Sequence, residues 1–121
     1  MPEANTYAKG VMGEAAACEY LCNKGMELLA RRLHSAYGEI DLVMLDGDVL
    51  VFVEVKARER SNVESALLAV TMQKQQRIIQ TARCFLSENP QHNHRVMRFD
   101  VVAVTRMGVT HVPDAFRGTE W

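Results

Sequence analysis

The stretch Glu39-Ile40-Asp41-Leu42-Val43-Met44-Leu45-Asp46-Gly47-Asp48-Val49-Leu50-Val51-Phe52-Val53-Glu54-Val55-Lys56-Ala57 reads as two β-strands joined at Asp46-Gly47-Asp48, a turn signal between β-like runs. Side chains alternate faces along a strand. Leu50, Phe52, Glu54 and Lys56 therefore share one face of the second strand, and Val51, Val53 and Val55 share the other. The first of these faces begins apolar and ends charged. A carboxylate on a covered sheet face is costly unless it is paired or bound to a metal. On the partner strand Asp41 shares a face with Val43 and Leu45, and the short turn lays the strands side by side, so Asp41 and Glu54 are expected to converge.

Upstream, Val11, Ala15, Cys18, Leu21 and Cys22 recur at helical steps within about residues 7–23, and Gly25 stops that helix. Met26 to Leu33 reads as a strand. Downstream, Val63, Ala66, Leu67, Val70, Ile78, Ala82 and Phe85 predict one long helix over about 63–87, ended by Asn89-Pro90. Arg95 to Thr105 carries the run Val101-Val102-Ala103-Val104 expected of a strand covered on both faces, and Gly108 turns it into a short strand from Val109 to Val112. The expected order is α-β-β-β-α-β-β: an α/β mixed β-sheet flanked by α-helices, in one domain spanning residues 1–121.

A chain of 121 residues, 48% hydrophobic, can bury a core without staples. Its longest apolar runs fall far short of the roughly 20 residues that cross a bilayer. The opening Met1-Pro2-Glu3-Ala4-Asn5 lacks the basic-then-apolar order of a secretory signal, so the expected location is cytoplasmic, with no membrane partner. Three cysteines, an odd number, argue against a disulfide framework, and Cys18 and Cys22 have no second pair to complete a zinc site. The net charge of −1 argues against an indiscriminate nucleic-acid binder. Charge is nevertheless uneven. Residues 56–98 hold eight bases against three acids, whereas residues 1–55 hold four bases against nine acids.

Two unit charges about 4 Å apart repel by roughly 4 kcal/mol at an effective dielectric near 20, so a close pair of carboxylates favours a cation. Mg²⁺ or Mn²⁺ suits oxygen ligands and leaves positions for a phosphate oxygen and a water. Lys56 adds a point charge on the same face as Glu54. Glu14 lies three residues after Val11 and four before Cys18, on the inner side of the first helix. In the long helix, Gln73 and Lys74 interrupt the apolar stripe, near where a site would lie. Each feature alone is ordinary; Glu-x-Lys on a strand is a common exposed ion pair. Their joint occurrence points to a site.

The chain also resembles the YraN-like family of uncharacterised bacterial proteins, usually described as candidate endonucleases. The residues that carry the likeness are Gly13-Glu14-Ala15-Ala16, Gly38-Glu39-Ile40-Asp41-Leu42, Phe52-Val53-Glu54-Val55-Lys56-Ala57-Arg58, Lys74, Arg98-Phe99-Asp100-Val101-Val102 and Ala115-Phe116. That family is similar to PD-(D/E)xK restriction-endonuclease-like proteins and archaeal Holliday-junction resolvases. The resemblance implies a restriction-endonuclease-like fold and a metal-dependent endonuclease with Glu14, Asp41, Glu54 and Lys56 as the catalytic set. On this reading Asp41, Glu54 and the Val55 carbonyl hold Mg²⁺ or Mn²⁺, Lys56 positions the attacking water, and Glu14 assists a second metal or that water. Arg58, Gln73 and Lys74 then face the substrate, a nucleic acid with DNA before RNA, branched or otherwise structured. A homodimer is expected, since one site nicks one strand at a time. The alternative is a nucleic-acid-binding or assembly module that keeps the fold without turnover.

Overall fold

The computed structural model describes residues 2–57 and 63–118, with side chains from Gly13 onward. The hairpin forms where the alternation places it. Strands β2 (Glu39–Asp46) and β3 (Val49–Ala57) pair antiparallel around Gly47, which sits at φ 60°, with Leu45 opposite Leu50 and Leu42 opposite Val53. Strand β1 (Glu27–His34) pairs antiparallel with the outer side of β2. On the other side of β3, strand β4 (Met97–Thr105) runs parallel to it from Leu50↔Met97 to Ala57↔Val104. Strand β5 (Gly108–Phe116) closes the sheet antiparallel to β4, giving the order β1-β2-β3-β4-β5.

A parallel pair needs a long crossover. Here helices α2 (Val63–Ala69) and α3 (Met72–Glu88) and a 3₁₀ turn at Pro90–His92 supply it. Helix α1 (Pro2–Asn23) precedes the sheet. One cluster joins Val43, Leu50, Phe52, Phe99 and Val101 to Val70, Ile78, Ala82 and Phe85 of the crossover. The other joins Leu42, Met44, Val51, Val53 and Val102 to Ala17, Cys18 and Leu21 of α1. The central strands are thus covered on both faces, which explains their unbroken apolar runs. Helix α1 approaches closely at Gly13, where a Cβ would lie 2.7 Å from the Ala57 Cβ. Among the described residues no helix is long and apolar enough to cross a membrane.

The mixed α/β sheet with flanking helices is as expected, but the predicted long helix is two helices, so the order is α-β-β-β-α-α-β-β. The break falls at Val70-Thr71. Thr71 is extended, at φ −66° and ψ 164°, and its hydroxyl accepts the Lys74 N–H at 3.3 Å as the N-cap of α3. The Gln75 side-chain amide donates to the Val70 carbonyl at 3.0 Å, satisfying a group that the break would orphan. The gap in the apolar stripe at Gln73-Lys74 is therefore the first turn of a new helix. Thr71→Ala is expected to lower stability by about 1 kcal/mol, read from a urea unfolding midpoint. Strand β5 also runs to Phe116, four residues beyond Val112. It pairs on one side only, where Pro113 needs no ladder hydrogen bond.

Candidate active site

The β2–β3 ladder ends at Leu42↔Val53, while β3 stays paired to β4 as far as Ala57. Beyond Leu42 the two strands form a fork, and the Asp41 side chain occupies it. Its Oδ2 accepts the Val55 N–H at 2.7 Å, in place of a ladder bond. Strict alternation lapses at this point. Ile40 packs in the α3-side cluster, whereas Leu42 and Met44 pack on the α1 side. Opposite, between the pairs Arg31↔Leu42 and Leu33↔Ile40, Arg32 has φ 51°. A left-handed non-glycine residue is a local cost retained where the surroundings enforce it. Here it accompanies the re-aiming of Asp41 toward β3.

Glu54 hydrogen-bonds Asp41. Burial, then that hydrogen bond and the Asp41 charge, push the Glu54 carboxyl up to about 9, against the opposing charges of Lys56 and Lys74. At neutral pH Glu54 therefore keeps its proton. Lys56 Nζ lies 3.9 Å from Glu54 Oε2, and both side chains are largely buried. Lys74 is exposed in the first turn of α3, close enough for its charge to act on Glu54. Asp41, Val55, Glu54, Lys56 and Lys74 are thus brought together at one end of the sheet.

Glu14 is engaged by Arg32. Its Oε1 accepts from Arg32 Nε at 3.2 Å. Gln73 is exposed and lines a neighbouring cleft. Arg58 lies outside the described residues. Among the described residues no three His, Cys, Asp or Glu side chains are gathered to hold a metal. The donors at the fork are two carboxylates. The chemistry of such a pair would suit a hard, oxygen-seeking cation in place of the Glu54 proton. Cys18 and Cys22, both free, lie with their sulfurs 4.0 Å apart on α1.

Two groupings are invisible in the sequence. The first is a cleft of about 390 Å³ between Tyr37 and the outer face of α3. It does not include the carboxylates, and it begins at Gln73, the neighbour of Lys74. The second surrounds Asp100, which is completely buried. Asp100 accepts from Arg98 at 2.8 and 2.9 Å, from His111 Nε2 at 2.7 Å and from the Asp114 N–H at 3.0 Å. Arg98 also donates to Asp46 at 3.0 Å, and Lys24 Nζ lies 3.1 Å from His111 Nδ1. Arg98 and Asp100 stand two apart on β4, and His111, Lys24 and Asp46 join them only in the fold.

The model of a family described as "Uncharacterised protein family UPF0102" matches residues 13–104, which include Glu14, the hairpin, Lys74 and Asp100. A UPF0102 protein of Rhodococcus opacus (strain B4) is 44% identical over 118 residues, covering 93% of this chain and 99% of its own. One from Rhodopseudomonas palustris (strain BisB18) is 42% identical over 111 residues, or 91% of this chain and 81% of its own. One from Francisella tularensis subsp. tularensis (strain WY96-3418) is 36% identical over 108 residues, or 88% and 92%. With the family model spanning most of the chain and such relatives aligned over nearly all of it, this protein belongs to the UPF0102 family.

Proposed function

We propose that the chain is a metal-dependent endonuclease that hydrolyses phosphodiester bonds in nucleic acid, DNA before RNA, in the manner of the restriction-endonuclease-like proteins it resembles. The observation that carries this reading is the partly buried Asp41–Glu54 pair at the β2–β3 fork, with Lys56 and Lys74 beside it. Asp41, Glu54 and the Val55 carbonyl are the residues that would hold Mg²⁺ or Mn²⁺. When bound, such a cation supplies Lewis-acid charge to a phosphodiester oxygen and acidifies a water.

The remaining roles belong to the chain itself. The Val55 N–H holds Asp41 in one orientation beside Glu54. Lys56, anchored 3.9 Å from Glu54, orients the attacking water and meets the negative charge that develops on the phosphate. Lys74, with Gln73 and Arg58, contacts the substrate backbone. Glu14 is a supporting acid, because Arg32 already engages its carboxylate. Cleavage of both strands would take two copies of the chain.

Nicking and cleavage of branched, single-stranded and duplex DNA in Mg²⁺ or Mn²⁺ tests this reading. Asp41→Asn and Glu54→Gln are expected to lower the rate by roughly a thousandfold, the scale of losing one strong electrostatic stabiliser of a reacting centre. Glu14→Gln is expected to cost about tenfold, the scale of losing a supporting partner. Equal rates in the parent, Asp41→Asn and Glu54→Gln proteins would defeat it. The arginines and glutamines that line the cleft along α3 favour a second reading, a nucleic-acid-binding or assembly module without turnover. DNA binding with neither Mn²⁺ binding nor cleavage would select that one.

A further inference from the structure

The cleft along α3 has a composition unlike the chain as a whole. The protein carries a net charge of −1, yet among the described residues no acid lines this cleft, while Arg77 and Arg83 both do. Gln73, Gln76 and Gln80 recur at steps of three and four residues, so their amides form one stripe along the helix. Across from them stands Tyr37, 53% exposed.

The position of Tyr37 is fixed. Thr81, fully buried on α3, hydrogen-bonds Ser35 Oγ at 2.7 Å. Ser35 Oγ in turn accepts the Tyr37 N–H at 3.0 Å, and the Ser35 N–H donates to the Gly38 carbonyl at 2.8 Å. Gly38 comes so near the helix that a Cβ there would lie 3.6 Å from the Arg77 Cβ. The loop carrying Tyr37 is thereby tied to the helix carrying the amides and guanidinium groups, and the exposed Tyr37 lines one cleft with them.

We infer that this cleft is a nucleotide subsite, which takes one unpaired base of a nucleic-acid substrate between the Tyr37 ring and the glutamine stripe. This deepens the endonuclease reading and rests on it for the purpose of the subsite. The ring offers a stacking surface to any base. Gln76 and Gln80 carry both donors and acceptors, the requirement for meeting a base edge. Arg77 and Arg83 meet the phosphate. A cleft of about 390 Å³ is small beside a duplex, and falls within the roughly 300–1,000 Å³ typical of small-ligand sites. Because the cleft starts beside Lys74, a base seated there places the adjoining backbone toward the Asp41–Glu54 fork. The preferred substrate therefore contains unpaired nucleotides at the cut.

The test is binding without turnover. In EDTA, the whole protein is titrated into a short single-stranded DNA oligonucleotide carrying one 2-aminopurine, and separately into the same sequence as a blunt duplex. Tighter binding of the single strand is expected, with 2-aminopurine fluorescence quenched by stacking. Tyr37→Ala is expected to weaken single-strand binding about tenfold or more, and Tyr37→Phe, which keeps the ring, to restore it. Arg77→Ala is expected to weaken binding and lower the salt slope by about one. Equal affinity for both DNAs, no quenching, or equal losses in Tyr37→Ala and Tyr37→Phe would each overturn the subsite. If Tyr37→Ala binds like the parent while Asp41→Asn still abolishes cleavage, the subsite falls and the endonuclease reading stands. If the parent neither binds nor cleaves, both fall.

Discussion

Replacing Asp100 by alanine is expected to remove about 3–5 kcal/mol of folding stability, the usual cost of breaking a buried ion pair by deleting one partner. Asp100 has no exposure, and its two oxygens accept four hydrogen bonds, two of them from Arg98. These bonds lock β4 to the far end of β5 through His111 and Asp114. The links from Arg98 to Asp46 and from His111 to Lys24 extend the set to the end of β2 and the segment after α1. Without Asp100, the Arg98 guanidinium keeps, among the described residues, Asp46, which is nearly half exposed, and His111 loses its bond to Asp100. Asp100→Asn keeps the volume and removes the charge, so a similar loss identifies the cause as electrostatic and not a cavity. Urea unfolding followed by circular dichroism measures both. A loss below about 1 kcal/mol would class the pair with surface ion pairs and remove its role as a clamp.

The second large effect concerns pH. The Glu54 carboxyl is raised from 4.5 to about 9, chiefly by burial and then by Asp41. Below pH 4.5 both the folded and unfolded chains carry this proton, and its contribution to stability is fully present. As pH rises from 4.5 toward 9 the unfolded chain releases the proton while the fold retains it, so stability is lost progressively. For one such group the slope is about 1.4 kcal/mol per pH unit. Glu54→Gln keeps a donor toward Asp41 and cannot ionise. The metal-free variant is therefore expected to be increasingly more stable than the parent between pH 6 and 8.5, by roughly 3–6 °C in Tm per pH unit. Parallel Tm profiles for parent and variant would mean that Glu54 is already ionised in the fold.

What the sequence disclosed follows from which signals are local. The hairpin was legible because alternation and the Asp46-Gly47-Asp48 turn agree, and Asp41 and Glu54 stood out as acids in apolar surroundings. The split between α2 and α3 was not legible, because a missing apolar step looks the same whether a helix turns a polar face outward or stops and restarts. Thr71 announces its cap only through an extended backbone. The length of β5 was hidden by Pro113 and Asp114, which end most strands. At this edge they are accommodated by a left-handed Asp114 at φ 54° and an irregular register between Phe99 and Val101. Tyr37, Gln76 and Arg77 are ordinary surface residues along the chain; the Ser35–Thr81 hydrogen bond and the approach of Gly38 to Arg77 bring them to one cleft. The left-handed turn of Arg32, which accompanies the aim of Asp41, has no marker in its own residue type.

The claim on which the rest depends is that the proton kept by Glu54 beside Asp41 occupies a place meant for a divalent cation. Calorimetric titration of Mn²⁺ at pH 7.5, repeated in buffers of different ionisation enthalpy, counts the protons released. The account predicts saturable binding with release of close to one proton, apparent affinity rising up to tenfold per pH unit below 9, and loss of both features in Glu54→Gln. Saturable binding that releases no proton, or that survives unchanged in Glu54→Gln and Asp41→Asn, would contradict it.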